Sequence, residues 1–343
     1  MRTRRERWLV FMIDSRVAKL GKRGAAMVFP GQGAQSTGMG RRTYDTSQAA
    51  RDTYSEASEI VGVDLARICF ESDEDALAST HNTQPAVLTT SLATYRAMKE
   101  KLDEINFKLD PQFFGGHSMG MFTAAVASGA LSFKDSLGLI LERSRLMGSF
   151  NEARPVGMAA IVGFEYGMVA EVCSEATSGL DCRVDVANHN EDLQTVISGD
   201  VVALERAMSI VKDKHGKAIR LKLKVSSHTP LHESQASEFA EIVRKVEFKS
   251  PCAPIVSNIG SHLMVSGIEV RNEFEDQLKS PVMWASNVRK MISEGIELFI
   301  EAGPGHSLSR MIRRINSASM AVSLDDARQH PIPISVFATE SMN

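Results

Sequence analysis

The sequence predicts a mixed α/β fold that is built in two parts. Residues 25–130 alternate short apolar strands with helical patterns, which is typical of a parallel sheet covered by helices. Residues 157–225 follow a different order: strand, helix, strand, strand, helix, strand. That order is typical of a ferredoxin-like unit. A chain of 343 residues is long enough to bury a sizeable core, as one large domain or as two.

The first part places its polar motifs at the ends of apolar segments. Its predicted elements are the strand Ala25–Val28, the helices Thr53–Val61 and Ala86–Lys101, a short buried strand that ends at Phe113 and Phe114, and the helix Met119–Ala130. Ligands of parallel α/β sheets bind at the carboxyl ends of strands. We therefore expect catalytic groups after the strands of this part.

Hydrophobic periodicity also predicts the strands and helices of the second part and of the remainder of the chain. The predicted elements are the strands Gly157–Gly163, Cys182–Asn188, Leu193–Gly199 and Lys217–Val225 with the helices Tyr166–Thr177 and Val201–Lys214, and then the helix Ser234–Val246, the strand Pro254–Ser257, the helix Trp284–Glu294 and the strand Leu298–Glu301. These patterns predict a small subdomain over residues 155–224, between two segments of a large one, 25–154 and 225–315. Residues 316–343 show little periodicity and predict a surface tail.

Charge separates the first residues from the rest of the chain. Residues 1–24 hold eight Lys or Arg and two acidic residues, which gives this segment a net charge of +6. Because the whole chain has a net charge of −3, the remaining residues carry −9. This segment lacks the apolar core of a secretory signal, and we expect a basic N-terminal extension. No apolar run approaches the length of a membrane span. Neither a membrane nor nucleic acid is an expected partner.

Four cysteines are scattered along the chain and form no pair with metal-ligand spacing: Cys69, Cys173, Cys182 and Cys252. This distribution favours reduced thiols in a cytoplasmic protein over disulfides or a zinc site. No metal site is expected, and the four side chains are interpreted as packing residues.

The run Gly115-Gly-His-Ser-Met-Gly120 lies between the second strand and its following helix. A serine on a sharp strand-to-helix turn is typical of a nucleophile elbow, because glycines at 116 and 120 permit the turn and the close packing of the helix. Ser118 is thus the candidate nucleophile, at the positive end of the helix. The motif alone also fits a helix-entry turn that Ser118 caps.

Further motifs follow in a fixed order. They are Phe29-Pro-Gly-Gln-Gly-Ala-Gln35, Thr83-Gln-Pro-Ala86, the serine run, Glu142-Arg-Ser-Arg-Leu-Met147, Val186-Ala-Asn-His-Asn190 with Val196-Ile-Ser-Gly199, Ser227-His-Thr-Pro-Leu231, Gln277-Leu-Lys-Ser-Pro-Val282 with Trp284, and Glu301-Ala-Gly-Pro-Gly305. Together they closely resemble the malonyl-CoA:acyl-carrier-protein transacylase family, which also supplies the acyltransferase domains of polyketide synthases. The resemblance covers roughly residues 25–315, and motifs matched in order are more specific than any one motif.

The resemblance implies a fold and a set of catalytic groups. The fold is an α/β hydrolase-like large subdomain with an inserted ferredoxin-like small subdomain and a cleft between them. A serine needs a base, and His228 matches the catalytic histidine of the family. The backbone carbonyl of Gln277 matches the group that orients this histidine, with the carboxylate of Asp276 as the alternative. The N–H groups of Gln32 and Met119 match the oxyanion hole.

The resemblance also implies an acyl-binding arginine. An arginine in the middle of a helix is most often a solvated or paired surface charge, but Arg143 matches the family residue that binds the malonyl carboxylate. Arg145 points to another face of the helix. His117 is expected to point away from Ser118 and to steady the site or the bound carboxylate.

The chain departs from the family pattern at three places. Met121 stands where a glutamate is usual and Ser144 where a glycine is usual, and both changes bear on the acyl pocket. Arg220, Lys222 and Lys224 alternate along a strand and therefore share one face. That face is interpreted as solvated; the alternative is a surface for the phosphates of coenzyme A or an acidic carrier protein.

These residues predict a monomeric enzyme that moves a malonyl group from coenzyme A to the thiol of an acyl carrier protein through an acyl-serine. The expected partners are a coenzyme A thioester and the carrier protein, and no metal or bound cofactor is expected. Fatty-acid and polyketide synthesis both stay open. Two other functions also stay open: a hydrolase of acyl-carrier thioesters, and a non-catalytic subunit that binds the acyl group or the carrier.

Overall fold

Two β-sheets organise the part of the chain that the computed structural model describes, residues 24–107, 109–179, 181–221 and 225–325. The strands are β1 (Gly24–Phe29), β2 (Phe113–Gly116), β3 (Val156–Val162), β4 (Val184–Glu191), β5 (Gln194–Asp200), β6 (Lys217–Arg220), β7 (Ile255–Val256), β8 (Leu263–Met264), β9 (Ile296–Glu301) and β10 (Met320–Ser323). The larger sheet has the order β10-β9-β1-β2-β7-β8 and the smaller one β4-β5-β3-β6.

Helices cover both sheets. They are α1 (Arg41–Thr46), α2 (Gln48–Val61), α3 (Leu65–Glu71), α4 (Glu74–Ala78), α5 (Thr80–Glu104), α6 (Gly120–Ala127), α7 (Phe133–Ala153), α8 (Tyr166–Ala176), α9 (Val201–Asp213), α10 (Glu233–Val243), α11 (Gly267–Asp276), α12 (Trp284–Ser293) and α13 (Ser307–Ile315), with 3-10 turns at Pro230–His232 and Gln277–Lys279. Within the described ranges, none of these helices is both long and apolar enough to cross a membrane.

Strand β1 is the centre of the large sheet. It pairs in parallel with β2 on one side and with β9 on the other, and all six of its residues are buried. Met27 and Phe29 point into the larger core beneath α5, α6 and α7, whereas Ala26 and Val28 point into a second core beneath α12 and α13. Burial on both faces explains the uninterrupted apolar sequence of this strand.

The small sheet is antiparallel throughout. Helices α8 and α9 cover one face with a core that includes Ile161, Val172 and Leu204. The strand and helix order from β3 to β6 is that of a ferredoxin-like unit, as the sequence predicted. A bridge between Asn188 of β4 and Val282 joins this subdomain to the large one.

The α/β fold with a parallel-dominated large sheet and a separate small sheet is confirmed, and two local predictions need correction. The surface tail predicted from residue 316 is wrong at β10, which pairs in parallel with β9. Four residues are too few to show a period, although Ala321 and Ser323 are both buried. Helix α5 begins at Thr80 rather than at Ala86. The predicted basic extension lies outside the described residues except for Gly24, and so do residues 326–343.

Candidate active site

The chain turns sharply between β2 and α6. Ser118 lies in this turn with a φ of 52°, in the left-handed region of backbone conformation that residues other than glycine rarely adopt. A side chain at Gly120 would overlap the carbonyl of Phe29, and one at Gly116 would overlap the backbone of Gly120. The two glycines therefore let α6 pack directly against β1. No serine side chain caps α6, so the turn is an elbow and not a helix cap.

Ser118 and His228 face each other across this turn. The Ser118 hydroxyl donates to His228 Nε2 over 2.6 Å, and His228 Nδ1 lies 2.9 Å from the carbonyl oxygen of Gln277 and 3.2 Å from that of Ser280. Two carbonyl acceptors at Nδ1 place the proton on that nitrogen, which leaves Nε2 free to accept the serine proton. The three residues have the geometry of a nucleophile, a base and the group that orients the base.

Burial decides the charge of the base. His228 is almost fully buried, and this burial, together with the positive charge of Arg143, lowers the pKa of His228 to about 3. The imidazole is therefore neutral near pH 7 and ready to accept a proton. The carboxylate alternative, Asp276, does not reach the ring: it pairs with Lys279 Nζ at 3.2 Å, and its side chain is 54% exposed.

The loop after β1 lies beside the elbow. A side chain at Gly31 would overlap the carbonyl oxygen of His117, so only glycine permits this approach. Among the described residues, neither the Gln32 N–H nor the Met119 N–H has a hydrogen-bond partner. Both predicted oxyanion donors are thus next to the elbow and available to a substrate oxygen.

Arg143 enters the site from α7. Its side chain is 2% exposed, and Nη2 donates to the Ser118 hydroxyl oxygen over 3.4 Å. No carboxylate pairs with it among the described residues, its Nε has no partner, and burial lowers the pKa of the guanidinium to about 10. Arg145, by contrast, is half exposed and pairs with Glu142 and Glu238, so it lies on another face, as predicted.

His117 points away from the nucleophile. Its Nε2 lies 2.9 Å from the Asn190 side-chain oxygen, and its ring packs edge-on against Trp284 at 5.7 Å between centroids. Because Asn190 belongs to β4, the histidine connects the elbow to the small subdomain. Its predicted contact with a bound carboxylate stays a prediction.

The residues that depart from the family pattern differ in their burial. Met121 is fully buried in the larger core, and Ser144 is buried with no partner for its hydroxyl among the described residues. Arg220 forms an ion pair with Glu205 at 3.4 Å. Lys222 and Lys224 lie outside the described residues, so the predicted shared face of these cations stays a prediction.

Two residues at the site were missed by sequence reasoning. The Asn258 side chain accepts a hydrogen bond from the Ser118 N–H over 2.8 Å, and the Glu273 carboxylate accepts one from the Asn258 N–H over 2.9 Å. Both are buried. Neither stands in a recognised motif, and Asn258 is 140 residues from Ser118 in the chain, so the sequence does not predict their contact.

Comparison with known proteins agrees with this geometry. The acyl transferase domain model matches residues 26–324. The malonyl CoA-acyl carrier protein transacylase of Bacillus subtilis is 34% identical over 322 residues, which are 93% of this chain and 98% of that protein. The crystal structure of the malonyl-CoA:acyl carrier protein transacylase from Xanthomonas oryzae is 35% identical with a TM-score of 0.83, covering 90% of this chain and 96% of that one.

A second solved structure holds a malonyl-transacylase together with its partner, a type II polyketide synthase acyl-carrier protein. Its similarity to this chain is 31% identity with a TM-score of 0.84, over 92% of this chain and 99% of that chain. The match therefore extends through both subdomains rather than through the elbow alone. The chain belongs to the malonyl-CoA:acyl-carrier-protein transacylase family of acyl transferases.

Proposed function

We propose that this protein transfers a malonyl group from coenzyme A to the phosphopantetheine thiol of an acyl carrier protein through an acyl-serine intermediate. Arg143 is the observation that carries the proposal. A buried guanidinium without a carboxylate partner in the described structure is costly, and it lies 3.4 Å from the Ser118 hydroxyl. A malonyl thioester supplies the missing carboxylate, two bonds from the carbonyl that a serine attacks.

The first half-reaction begins at Ser118. Its oxygen forms a bond to the thioester carbonyl carbon while His228 Nε2 takes the hydroxyl proton. The N–H groups of Gln32 and Met119 stabilise the tetrahedral oxyanion. The carbon–sulfur bond then breaks, and the imidazolium returns its proton to the departing coenzyme A thiolate, which leaves a malonyl ester on Ser118.

The second half-reaction uses the same groups in the opposite direction. His228 takes the proton of the carrier thiol, whose sulfur attacks the ester, and the serine oxygen leaves with that proton. Because Gln277 holds Nδ1 in its protonated form, Nε2 is available at the start of each half-reaction. The relatives' names support both substrates, and one relative is solved with its carrier protein.

Every step uses only side chains, peptide groups and two thioester substrates, and we propose that neither a metal ion nor a bound cofactor takes part. We also propose a cytoplasmic location, which the four free cysteines support.

A hydrolase of varied acyl chains gains nothing from a buried carboxylate-binding arginine. A non-catalytic subunit has no need of the 2.6 Å Ser118–His228 contact.

Covalent trapping tests this proposal. Malonyl-CoA should label the parent protein on Ser118, as read by intact-protein and peptide mass spectrometry, and holo carrier protein should discharge the label. Ser118→Ala should remain unlabelled, whereas Ser128→Ala, which alters a buried serine at the far end of α6, should label normally. Labelling that survives in Ser118→Ala would refute the nucleophile. Discharge to water at the same rate with and without carrier would favour the hydrolase.

A further inference from the structure

The ladder of hydrogen bonds between β2 and β7 ends before the elbow begins. The Phe114 N–H donates to the Pro254 carbonyl, and Phe114 is paired with Ile255. Beyond that point, the Asn258 side chain replaces the missing strand. Its Nδ2 donates to the Gly116 carbonyl over 2.7 Å, and its Oδ1 accepts from the Ser118 N–H over 2.8 Å.

Asn258 is itself held from several sides. It is fully buried, its N–H donates to Glu273 Oε1 over 2.9 Å, and its carbonyl accepts from the Met283 N–H over 2.8 Å. Glu273 Oε2 accepts from the Ser257 hydroxyl over 2.6 Å. Burial raises the pKa of the Glu273 carboxyl to about 7. Keeping a carboxyl group at this buried position therefore costs folding free energy.

The carbonyl of Ser118 is held by the same region of the chain. Gln277 Nε2 donates to the Ser118 carbonyl over 3.2 Å, while the Gln277 carbonyl accepts from His228 Nδ1. Glu273 and Gln277 are one helical turn apart at the end of α11. One short segment thus positions the nucleophile through Asn258 and through Gln277, and the base through Gln277.

We propose that Asn258 is a positioning residue for acyl transfer, whose side-chain amide holds the left-handed peptide of Ser118, and that Glu273 holds Asn258. The proposal rests on the proposed function only in taking Ser118 as the nucleophile. Left-handed backbone at a residue other than glycine is strained and persists only where the surroundings enforce it. Without the amide, the elbow relaxes and moves both the serine oxygen and the Met119 N–H.

The test measures the reactivity of Ser118 apart from substrate binding. Asn258→Ala should lower the single-turnover rate of acylation by malonyl-CoA roughly tenfold to a hundredfold, since small displacements of reacting groups have effects of this size. The reaction with phenylmethylsulfonyl fluoride, which needs no acyl donor, should slow by a similar factor. Malonyl-CoA affinity, measured with Ser118→Ala present, should change less than about threefold, because Arg143 remains in place.

Conservative and control variants separate positioning from general loss of stability. Glu273→Gln keeps an oxygen for the Asn258 N–H and loses only the acceptor for the Ser257 hydroxyl, so it should retain more of the rate than Glu273→Ala, which should resemble Asn258→Ala. Asn258→Asp keeps the acceptor for Ser118 but loses the donor to Gly116, and it should be slow. Asn287→Ala is the matched control, because Asn287 is a buried amide of α12 that accepts from the Ser261 hydroxyl and, in the described structure, forms no hydrogen bond with the elbow.

Two results would overturn the proposal. One is acylation of folded Asn258→Ala at the parent rate. The other is an equal loss of rate in Asn258→Ala and Asn287→Ala in proportion to their loss of melting temperature, which would show a structural role only. A parent protein that malonyl-CoA fails to acylate, but whose sulfonylation still depends on Asn258, would refute the proposed function and leave this inference standing.

Discussion

Replacing Arg143 with methionine tests how the site selects its acyl group. The guanidinium is 2% exposed and lies 3.4 Å from the nucleophile, so a malonyl carboxylate would pair with it away from water. A charge-assisted pair of this kind contributes about 1.5–3 kcal/mol. At about 1.4 kcal/mol per tenfold, kcat/KM for malonyl-CoA should fall roughly 10- to 150-fold in Arg143→Met. The upper end is expected, because the carboxylate is left buried and unpaired.

The assay compares two acyl donors on the same variant. Acetyl-CoA carries no carboxylate, so its transfer should stay level or rise while malonyl transfer falls. Arg145→Met is the matched control, since Arg145 is exposed and pairs with Glu142 and Glu238, and it should leave both rates within about twofold. Equal losses for the two donors in Arg143→Met would refute the reasoning and assign the arginine a structural role.

Arg143→Met should also maintain or raise the thermal stability of the ligand-free protein. A buried cation without a partner in the described structure costs free energy, and methionine fills much of the same volume without a charge. The melting temperature of ligand-free Arg143→Met should therefore equal or exceed that of the parent. Malonylation should raise the melting temperature of the parent alone, because only there does the acyl carboxylate neutralise a buried charge.

Two further predictions concern pH. Burial and the charge of Arg143 lower the pKa of His228 to about 3, so kcat/KM for malonyl-CoA should stay level from about pH 8 to about pH 5 rather than fall near 6.5. In Arg143→Met the fall should move to higher pH; a parent profile that already falls near pH 6.5 would contradict a neutral, depressed base. The share of His228 in folding stability is present above pH 6.5 and is lost as pH falls from there towards 3. Glu301 is fully buried beneath α13, and its pKa is raised to about 7 by burial. Its contribution to stability is therefore present below its ordinary value of 4.5 and lost as pH rises from there through 7, so Glu301→Gln should gain melting temperature relative to the parent between about pH 4.5 and about pH 7 and keep that gain at higher pH. A difference that does not change with pH would show that Glu301 is uncharged or paired throughout.

The elbow could be predicted from sequence because its requirements are local. A buried strand, glycines at 116 and 120 and an apolar helix all lie within about two turns of Ser118, and each leaves a readable pattern. The ferredoxin-like order was readable for the same reason, since every element from β3 to β6 pairs with a neighbour in the same segment. His228 and Arg143 needed the resemblance, because their contacts with Ser118 join residues far apart in the chain.

Other elements left no usable pattern. Helices α1, α3 and α4 have seven residues or fewer, so a period of 3.6 residues is barely repeated. Strand β10 is set by its pairing with β9 rather than by its own sequence. Asn258 and Glu273 read as ordinary polar residues after a strand and within a helix. Only the folded chain shows that Asn258 binds Ser118 and that Glu273 binds Asn258.

The backbone strain of the site falls on the two residues that we propose as nucleophile and base. Ser118 has φ at 52° and His228 has φ at 62°, and neither is a glycine. Left-handed backbone at both positions costs roughly 2–6 kcal/mol together, and this cost must be offset by bonds from elsewhere. Those bonds come from residues 257–280: Asn258 binds the Ser118 N–H, Gln277 binds the Ser118 carbonyl and the His228 ring, and the Leu278 carbonyl accepts from the His228 N–H over 2.9 Å. The segment that holds the geometry is thus separate in sequence from both groups that perform the chemistry, and substitutions in it should alter the rate of acylation before they alter the choice of acyl group.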